Sequence, residues 1–456
     1  MGDYSNYKNA ELGDVRLSKR FVRLLEQLSG KPGASILEAC QDPYQAKAAY
    51  RFISNEEVTT EAITGITHEL TMEKIYAAMP SVLLILQDTT ELNYSTLKAT
   101  EGLGNIARKK ASLGMELHTA IAIGDNGEVY GLLSQKLWTR QPENYGQSDA
   151  TRKKLPIEEK ESIKWLEALE DVGTSFPEGT TVLHVCDAEG DIYELFCKAK
   201  KECVQYLCRV AHNRNVGESN ELAKLNDFVD GLPIAGKVDI HIPRDSRTKR
   251  EARNSEFEIK HGKCKVKKPS NMKGNSDLPD FIELYVVSAV EIDPPEGQEK
   301  ISWQLVTNVP TECFEDALTR IAWYTQRWKI ETFHRTLKSG CKVEELKSDT
   351  AYRLMKLITI YSIIALEIMH LTYIARTRPD ESCETVLTEE EWKILYRIAN
   401  KTKKMPEKVP TIYEAVVMIA KLGGFGGRKS DGFPGVTVIW RGLTSFYVVL
   451  DALPFL

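Results

Sequence analysis

The chain has 456 residues, 42% hydrophobic and 27% charged, enough to bury more than one core and unlike either a stapled miniprotein or a disordered tail. Sixty Lys and Arg against 65 Asp and Glu leave a net charge of −5, so bulk charge gives no sign of a nucleic-acid partner. Any such role must come from local clustering.

Nine cysteines, an odd number with no C-x-x-C pair, read as the reduced thiols of a cytoplasmic protein, not as a disulfide frame or zinc module. The first residues show no basic region followed by an apolar one, so no secretory signal is expected. The longest apolar stretch, Leu357 to Ala375, carries Glu367 and His370 and several hydroxyls, which favours a buried helix over a membrane span.

In chain order, the first sixty residues read helical. Ala10 to Leu28 places Leu17, Phe21, Leu24, Leu25 and Leu28 at helical spacing among Arg16, Lys19, Arg20 and Arg23, and Gly30-Lys31-Pro32-Gly33 ends the segment. A second helix is expected over Ser35 to Ser54, bearing Lys47 and Tyr50-Arg51-Phe52. Two readings fit this pair: an amphipathic hairpin with solvated cations, or a small DNA-gripping domain. Between about 81 and 215 the pattern is α/β. Ser81 to Leu86 is an apolar strand running into Gln87-Asp88-Thr89-Thr90; Leu117 to Ile123 and Val129 to Leu133 flank a Gly124-Asp125-Asn126-Gly127 turn; Pro156 to Leu169 is helical; Thr181 to Cys186 is a strand ending at Asp187; and a helix from Ile192 to Glu202 precedes the strand Val204 to Val210.

Residues 212 to 315 break this rhythm with strand-like pieces at Lys237–Ile242, Glu256–Ile259, Phe281–Val290 and Trp303–Thr307. From Arg244 to Lys273, eleven Lys or Arg face four Asp or Glu, a local +7; the run is either a solvated loop or an inserted β element that touches a polyanion. Beyond Glu315 the chain is helical again: one long helix over Asp316 to Lys338, then Tyr352–Ala375, Glu389–Thr402, Thr411–Lys421 and a final apolar helix after Pro434.

Two strands thus release an aspartate, Asp88 and Asp187, where a sheet exposes side chains to a crevice. On the helix that follows, Tyr324, Arg327, Glu331 and Lys338 fall within one narrow arc at about 100° per residue, with His334 and Arg335 on or beside it. Trp323, Ile330, Phe333 and Leu337 form an adjacent docking stripe. An ordinary amphipathic helix with an i, i+4 pair would show part of this pattern. One carboxylate among several cations and aromatics suits a metal-bound phosphodiester better. Two Mg2+ ions about 3.5–4 Å apart need hard anionic ligands, which Asp88, Asp187 and Glu331 supply, and the cations then serve as phosphate contacts. Glu91, Glu189 and Asp191 are competing carboxylates; position at the strand exit favours Asp88 and Asp187.

The spacing Y-x2-R-x3-E-x6-K, met by Tyr324, Arg327, Glu331 and Lys338, resembles the signature of bacterial cut-and-paste DNA transposases of the DDE class, in the transposon-five branch of the insertion-sequence-four family. The agreement extends in order to Leu12-Gly13-Asp14, Ala49-Tyr50-Arg51-Phe52, Gln87-Asp88-Thr89-Thr90, Val185-Cys186-Asp187 and Leu422-Gly423-Gly424-Phe425. The resemblance implies a ribonuclease H-like α/β catalytic domain (63–372) with an inserted β subdomain (212–315), a helical DNA-end-binding domain (1–62) and a helical dimerisation domain (373–456). It further implies a homodimer that cuts double-stranded transposon ends with Mg2+ or substituting Mn2+, passes through a DNA hairpin, and joins the ends to target DNA. Trp303, 21 positions before Tyr324, falls where the family stacks a flipped base, although a strand-core tryptophan fits the same place. Arg209, Trp328, His334, Arg335, Arg51 and Arg20 fall at DNA-contact or near-site positions. The chain departs from the family in lacking an aromatic-anchored helix before Glu11 and in carrying Leu17 where an arginine is expected, so end recognition is expected to differ. The alternatives are a plain ribonuclease H-like nuclease and a non-catalytic DNA-binding inhibitor of the same fold. A bacterial, nucleoid-associated cytoplasmic location and no membrane partner follow from the same reading.

Overall fold

The structure is a computed structural model and describes residues 4–106, 112–140, 155–218, 221–242, 250–272, 277–428 and 431–452. At its start a 3-10 turn (Ser5–Asn9) leads to α1 (Val15–Gly30), whose Phe21, Leu24, Leu25 and Leu28 are fully buried. Asp14 caps α1 by accepting the Arg16 amide at 2.8 Å. The single helix expected over Ser35 to Ser54 is instead two, α2 (Ile36–Cys40) and α3 (Pro43–Ser54). Gln41 takes a left-handed conformation, and Asp42-Pro43 starts a new helix by capping it with the Asp42 carboxylate. Tyr4 and Tyr7 are buried, and the Tyr7 ring meets Phe21 edge-on at 5.6 Å. The chain therefore does have an aromatic anchor before Glu11, in a 3-10 turn too short to show helical periodicity.

Next comes α4 (Thr60–Ala78), a helix absent from the sequence expectation. Its Thr67 and Thr71 are buried with their hydroxyls returned to the carbonyls four residues back, at 2.7 Å each. Thr71 is accommodated by Gly131, where a Cβ would lie 2.2 Å from its hydroxyl.

The central sheet is made by β1 (Val82–Asn93), β2 (Gly104–Asn105), β3 (Leu113–Gly124), β4 (Val129–Trp138), β5 (Thr181–Cys186) and β6 (Gln205–Arg209). Its order β4-β3-β1-β5-β6 has β4, β3 and β1 antiparallel and β1, β5 and β6 parallel, a ribonuclease H-like topology. Even-numbered Leu84 and Leu86 of β1 and odd-numbered Leu183 and Val185 of β5 face the main core; Leu83 and Ile85 face away from it. The parallel crossovers place α5 (Ile163–Val172) and α6 (Tyr193–Lys201) against the second face.

The insertion comprises β7 (Asn215–Glu218), β8 (Glu221–Lys224), α7 (Leu225–Asp230), β9 (Gly236–Ile242), β10 (Arg253–Lys267), β11 (Phe281–Glu291) and β12 (Ser302–Thr307). It is not a separate lobe. β12 pairs antiparallel with β6, so the insertion continues the central sheet into one of twelve strands among the described residues. The basic run falls largely on β10, 15 residues long where four were expected. Its cations are mostly consumed inside the protein: Lys263 pairs with Glu283 at 2.8 Å, Lys265 with Glu218 at 2.7 Å, Lys268 with Asp280 at 3.0 Å and Arg253 with the buried Glu291 at 2.8 Å. That pairing leaves the run less free charge than its +7 suggests; residues 244–249 and 273 lie outside the described residues.

The remaining helices are α8 (Phe314–Thr325), α9 (Trp328–Arg335), α10 (Ala351–Thr377), α11 (Glu389–Asn400), α12 (Ile412–Leu422) and α13 (Val436–Ala452). By length and composition α10 could cross a membrane, and 89% of its apolar window is buried in protein. One hydrophobic cluster runs from Tyr4 through β1, α9 and α10 to Phe446. The boundaries drawn at 62/63 and 372/373 fall inside α4 and α10, so the three regions share a core.

Candidate active site

Asp88 lies in the middle of β1, not at a strand exit, because β3 keeps pairing with β1 as far as Asn93. Asp187 does leave the end of β5 and caps a 3-10 turn through the Glu189 amide at 2.8 Å. The parallel register, Val82 with Thr181 through Leu86 with Val185, extends by two residues to set Asp88 level with Asp187. Both follow the residues that face the main core, and α9 packs on that face.

The long helix expected over Asp316 to Lys338 is broken. Around Gln326 and Arg327 the amides bond three residues back, Gln326 to Trp323 at 3.1 Å and Arg327 to Tyr324 at 3.0 Å, and α9 then opens into a π-helical turn at Thr336–Gly340. The signature residues still converge without a regular arc. Arg327 Nη1 is 3.8 Å from Asp88 Oδ2, and Arg327 Nη2 donates to Glu331 Oε1 at 2.5 Å. The guanidinium also lies 5.9 Å from the buried Tyr324 ring. Lys338 Nζ donates to the Glu91 carbonyl at 2.5 Å, and His334 Nδ1 is 3.8 Å from Asp88 Oδ2.

The electrostatics show a site short of positive charge. Burial, then the charge of Asp187, pushes Asp88 up to about 7, and burial raises Asp187 as well. Burial opposes the Arg327 charge, but Tyr324, Glu331 and Asp88 together overcome it and hold the guanidinium protonated. His334 is lowered to about 3 by burial and then by Lys338 and Arg327, so its closeness to Asp88 is that of a neutral ring, not an ion pair. Burial pushes Tyr324 up to about 12.

Among the described residues no three His, Cys, Asp or Glu side chains form a ready metal cage. Glu331 pairs with Arg327 and is 57% exposed. The residues nonetheless fit a hard divalent cation. The donors are carboxylates, Arg327 is a protein-borne cation bridging two of them, and two buried polar atoms beside Asp88, Thr119 Oγ1 and His334 Nε2, have no hydrogen-bond partner.

Three family models match the chain. "Transposase DNA-binding" covers residues 4–58, "Transposase DDE domain" covers 166–366, and "Transposase Tn5 dimerisation domain" covers 363–455. The chain belongs to the Tn5-type DDE transposases. The family implies dependence on a divalent metal, contact with DNA and dimerisation. A solved "piggyBac transposase synaptic complex with hairpin DNA" aligns at TM-score 0.36 and 10% identity over 89% of this chain and 83% of that one, a likeness too low to carry an argument.

The other candidates divide by position. In this transposase Asp191 is buried and accepts the Ala211 and His212 amides and the Arg214 guanidinium, so it latches the start of the insertion. Glu189 pairs with Lys164 at 3.1 Å, and Glu91 lies 3.7 Å from Arg140. Arg209 ends β6 exposed near Tyr324; Trp328 is half-exposed beside the carboxylates, and Arg335 is exposed. Trp303 is half-buried on β12, with its ring stacked on Phe257 at 5.9 Å. Arg51 is exposed on α3, and Arg20 donates to Gln45 at 2.7 Å. The sequence reading missed Gln87, His118 and His184, which lie on the opposite face of the sheet. The available signal was a glutamine and two histidines inside apolar strands.

Proposed function

We propose that this transposase acts as a homodimer on double-stranded transposon ends, cuts them through a hairpin intermediate, and joins them to target DNA. The observation that carries this reading is the level placement of Asp88 and Asp187 on one sheet face under the helix that bears Glu331 and Arg327. Asp88, Asp187 and Glu331 would hold Mg2+, or Mn2+ in its place, as hard anionic oxygen donors. Bound there, the metals supply Lewis acidity: they make water or a 3′ hydroxyl a competent nucleophile and stabilise the leaving oxygen.

The protein's own residues position the strand. Arg327 gives up its carboxylates for a DNA phosphate as the site charges, and Lys338, now on a backbone carbonyl, is free to make the same exchange. Tyr324 and Arg209 line the adjacent wall, and half-exposed Trp328 with Arg335 extends the contact outward. Trp303 offers the ring face not covered by Phe257 to a flipped base, while Arg20 and Arg51 belong to the end-binding helices. Such an enzyme works in the cytoplasm on the bacterial nucleoid and needs no membrane.

Incubating the protein with Mg2+ and DNA carrying the inverted repeats that flank its coding region tests this directly. Hairpin-capped ends are expected. Open nicks alone would favour the plain nuclease, and binding without any cleavage would favour the inhibitor form.

A further inference from the structure

The strands that bear the two aspartates are hydrogen-bonded to each other only up to the Leu86–Val185 rung. β5 stops at Cys186, while β1 continues along β3 alone. The ladder between β1 and β5 therefore ends just before Asp88 and Asp187. On the other face of the sheet, at this same level, a chain of side-chain hydrogen bonds crosses all three strands.

Gln87, 1% exposed, is its centre. Its amide nitrogen lies 2.7 Å from His184 Nδ1 on β5, and its amide oxygen lies 3.3 Å from His118 Nε2 on β3. Thr89 Oγ1 closes the chain at 2.9 Å from His118 Nδ1. The polarity is consistent from end to end: Thr89 donates to His118, His118 donates to Gln87, and Gln87 donates to His184. Both rings are then neutral, in keeping with burial that lowers His184 to about 4 and His118 well below its ordinary value. The Trp165 ring meets His118 edge-on at 4.7 Å and fixes its plane.

We infer that Gln87, with His118 and His184, is a positioning residue of strand cleavage: it clamps β1 to β3 and β5 where the backbone ladder ends and so sets the separation of Asp88 from Asp187. Gln87 lies on the sheet face opposite the carboxylates and acts through the backbone of the next residue. The inference rests on the reading of Asp88 and Asp187 as metal ligands, and the controls separate the two.

The test compares wild type, Gln87→Met, His184→Asn, His184→Leu and Asp88→Asn as full-length protein on end DNA. Mn2+ binding is followed by electron paramagnetic resonance, and cleavage is measured separately with Mg2+ and with Mn2+. Because Mg2+ demands near-ideal octahedral geometry and Mn2+ is more tolerant, a spacing error should cost about tenfold or more in Mg2+-supported cleavage and clearly less with Mn2+. Gln87→Met and His184→Leu are expected to show that split and weaker Mn2+ binding. His184→Asn, which keeps an acceptor near the Nδ1 position, is expected to stay close to wild type. A purely structural role would lower both metals' rates together with the folded fraction. Equal losses with both metals, or unchanged Mn2+ affinity in Gln87→Met while Asp88→Asn abolishes it, would overturn the inference alone. Unchanged Mn2+ affinity in Asp88→Asn would overturn the metal-site reading. Should Gln87→Met fail to fold, the His184 pair carries the test, and equal behaviour of Asn and Leu there would refute the inference.

Discussion

At the level of single residues, Arg327 governs the free site, because one guanidinium neutralises Asp88 and draws off Glu331. Arg327→Met is predicted to bind Mn2+ more tightly than wild type without DNA while binding end DNA more weakly; calorimetry with each ligand checks both directions. Lys329 gives a pH prediction. It is 6% exposed, and burial, then the charge of Arg376, lowers it to about 8. Its folded pKa lies below its unfolded value, so the folded state binds fewer protons between pH 8 and the ordinary lysine range, and stability rises with pH across that window. Lys329→Met should therefore stabilise the protein at pH 7 by about 1–3 kcal/mol, with the gain fading at alkaline pH; melting temperatures at pH 7 and pH 10 measure it. The Tyr324, Arg327, Glu331 and Lys338 spacing was readable in the sequence because it depends only on residue types and intervals. The Gln87 network was not, since its partners are 31 and 97 residues away and their meeting depends on strand order.

Among elements, sequence and structure part at Pro43, which opens a second helix inside the expected Ser35 to Ser54, and where backbone hydrogen bonds change pattern without Gly or Pro. Periodicity ran through Asp316 to Lys338 unbroken, yet α8 and α9 are separated by a turn of i→i+3 bonds whose residues keep helical dihedrals. α4 escaped because its buried threonines imitate a polar face. The apolar run Thr181–Cys186 matches its strand to the residue, whereas β1, β3 and β4 run well past the apolar residues that announce them. The C-terminal pair α12 and α13 supplies a test of packing. A Cβ on Gly442 would lie 1.8 Å from the Ile419 carbonyl, and one on Gly423 would lie 1.9 Å from the Val438 carbonyl. These backbones touch, so Gly442→Ala must separate the helices. The expected cost is about 1–3 kcal/mol or more, read by denaturant unfolding, with weakened dimerisation read by sedimentation.

For the whole molecule, the net charge of −5 says little about function, because the cations of β10 are paired internally and the cations that matter sit over carboxylates. The one core that joins the end-binding helices, the sheet, α10 and the C-terminal helices explains why no composition break marks the region boundaries. α10 therefore joins the three regions through one core, and damage to that helix should destabilise all three. In the proposed function Asp88, Asp187 and Glu331 together perform strand cleavage. Its most direct test is a denaturing gel of end DNA incubated with Mg2+ and wild type, Asp88→Asn, Asp187→Asn or Glu331→Gln. Each variant should bind the end with wild-type affinity and cleave it more than about a hundredfold more slowly. Wild-type cleavage by any one of them would contradict that role for the three carboxylates.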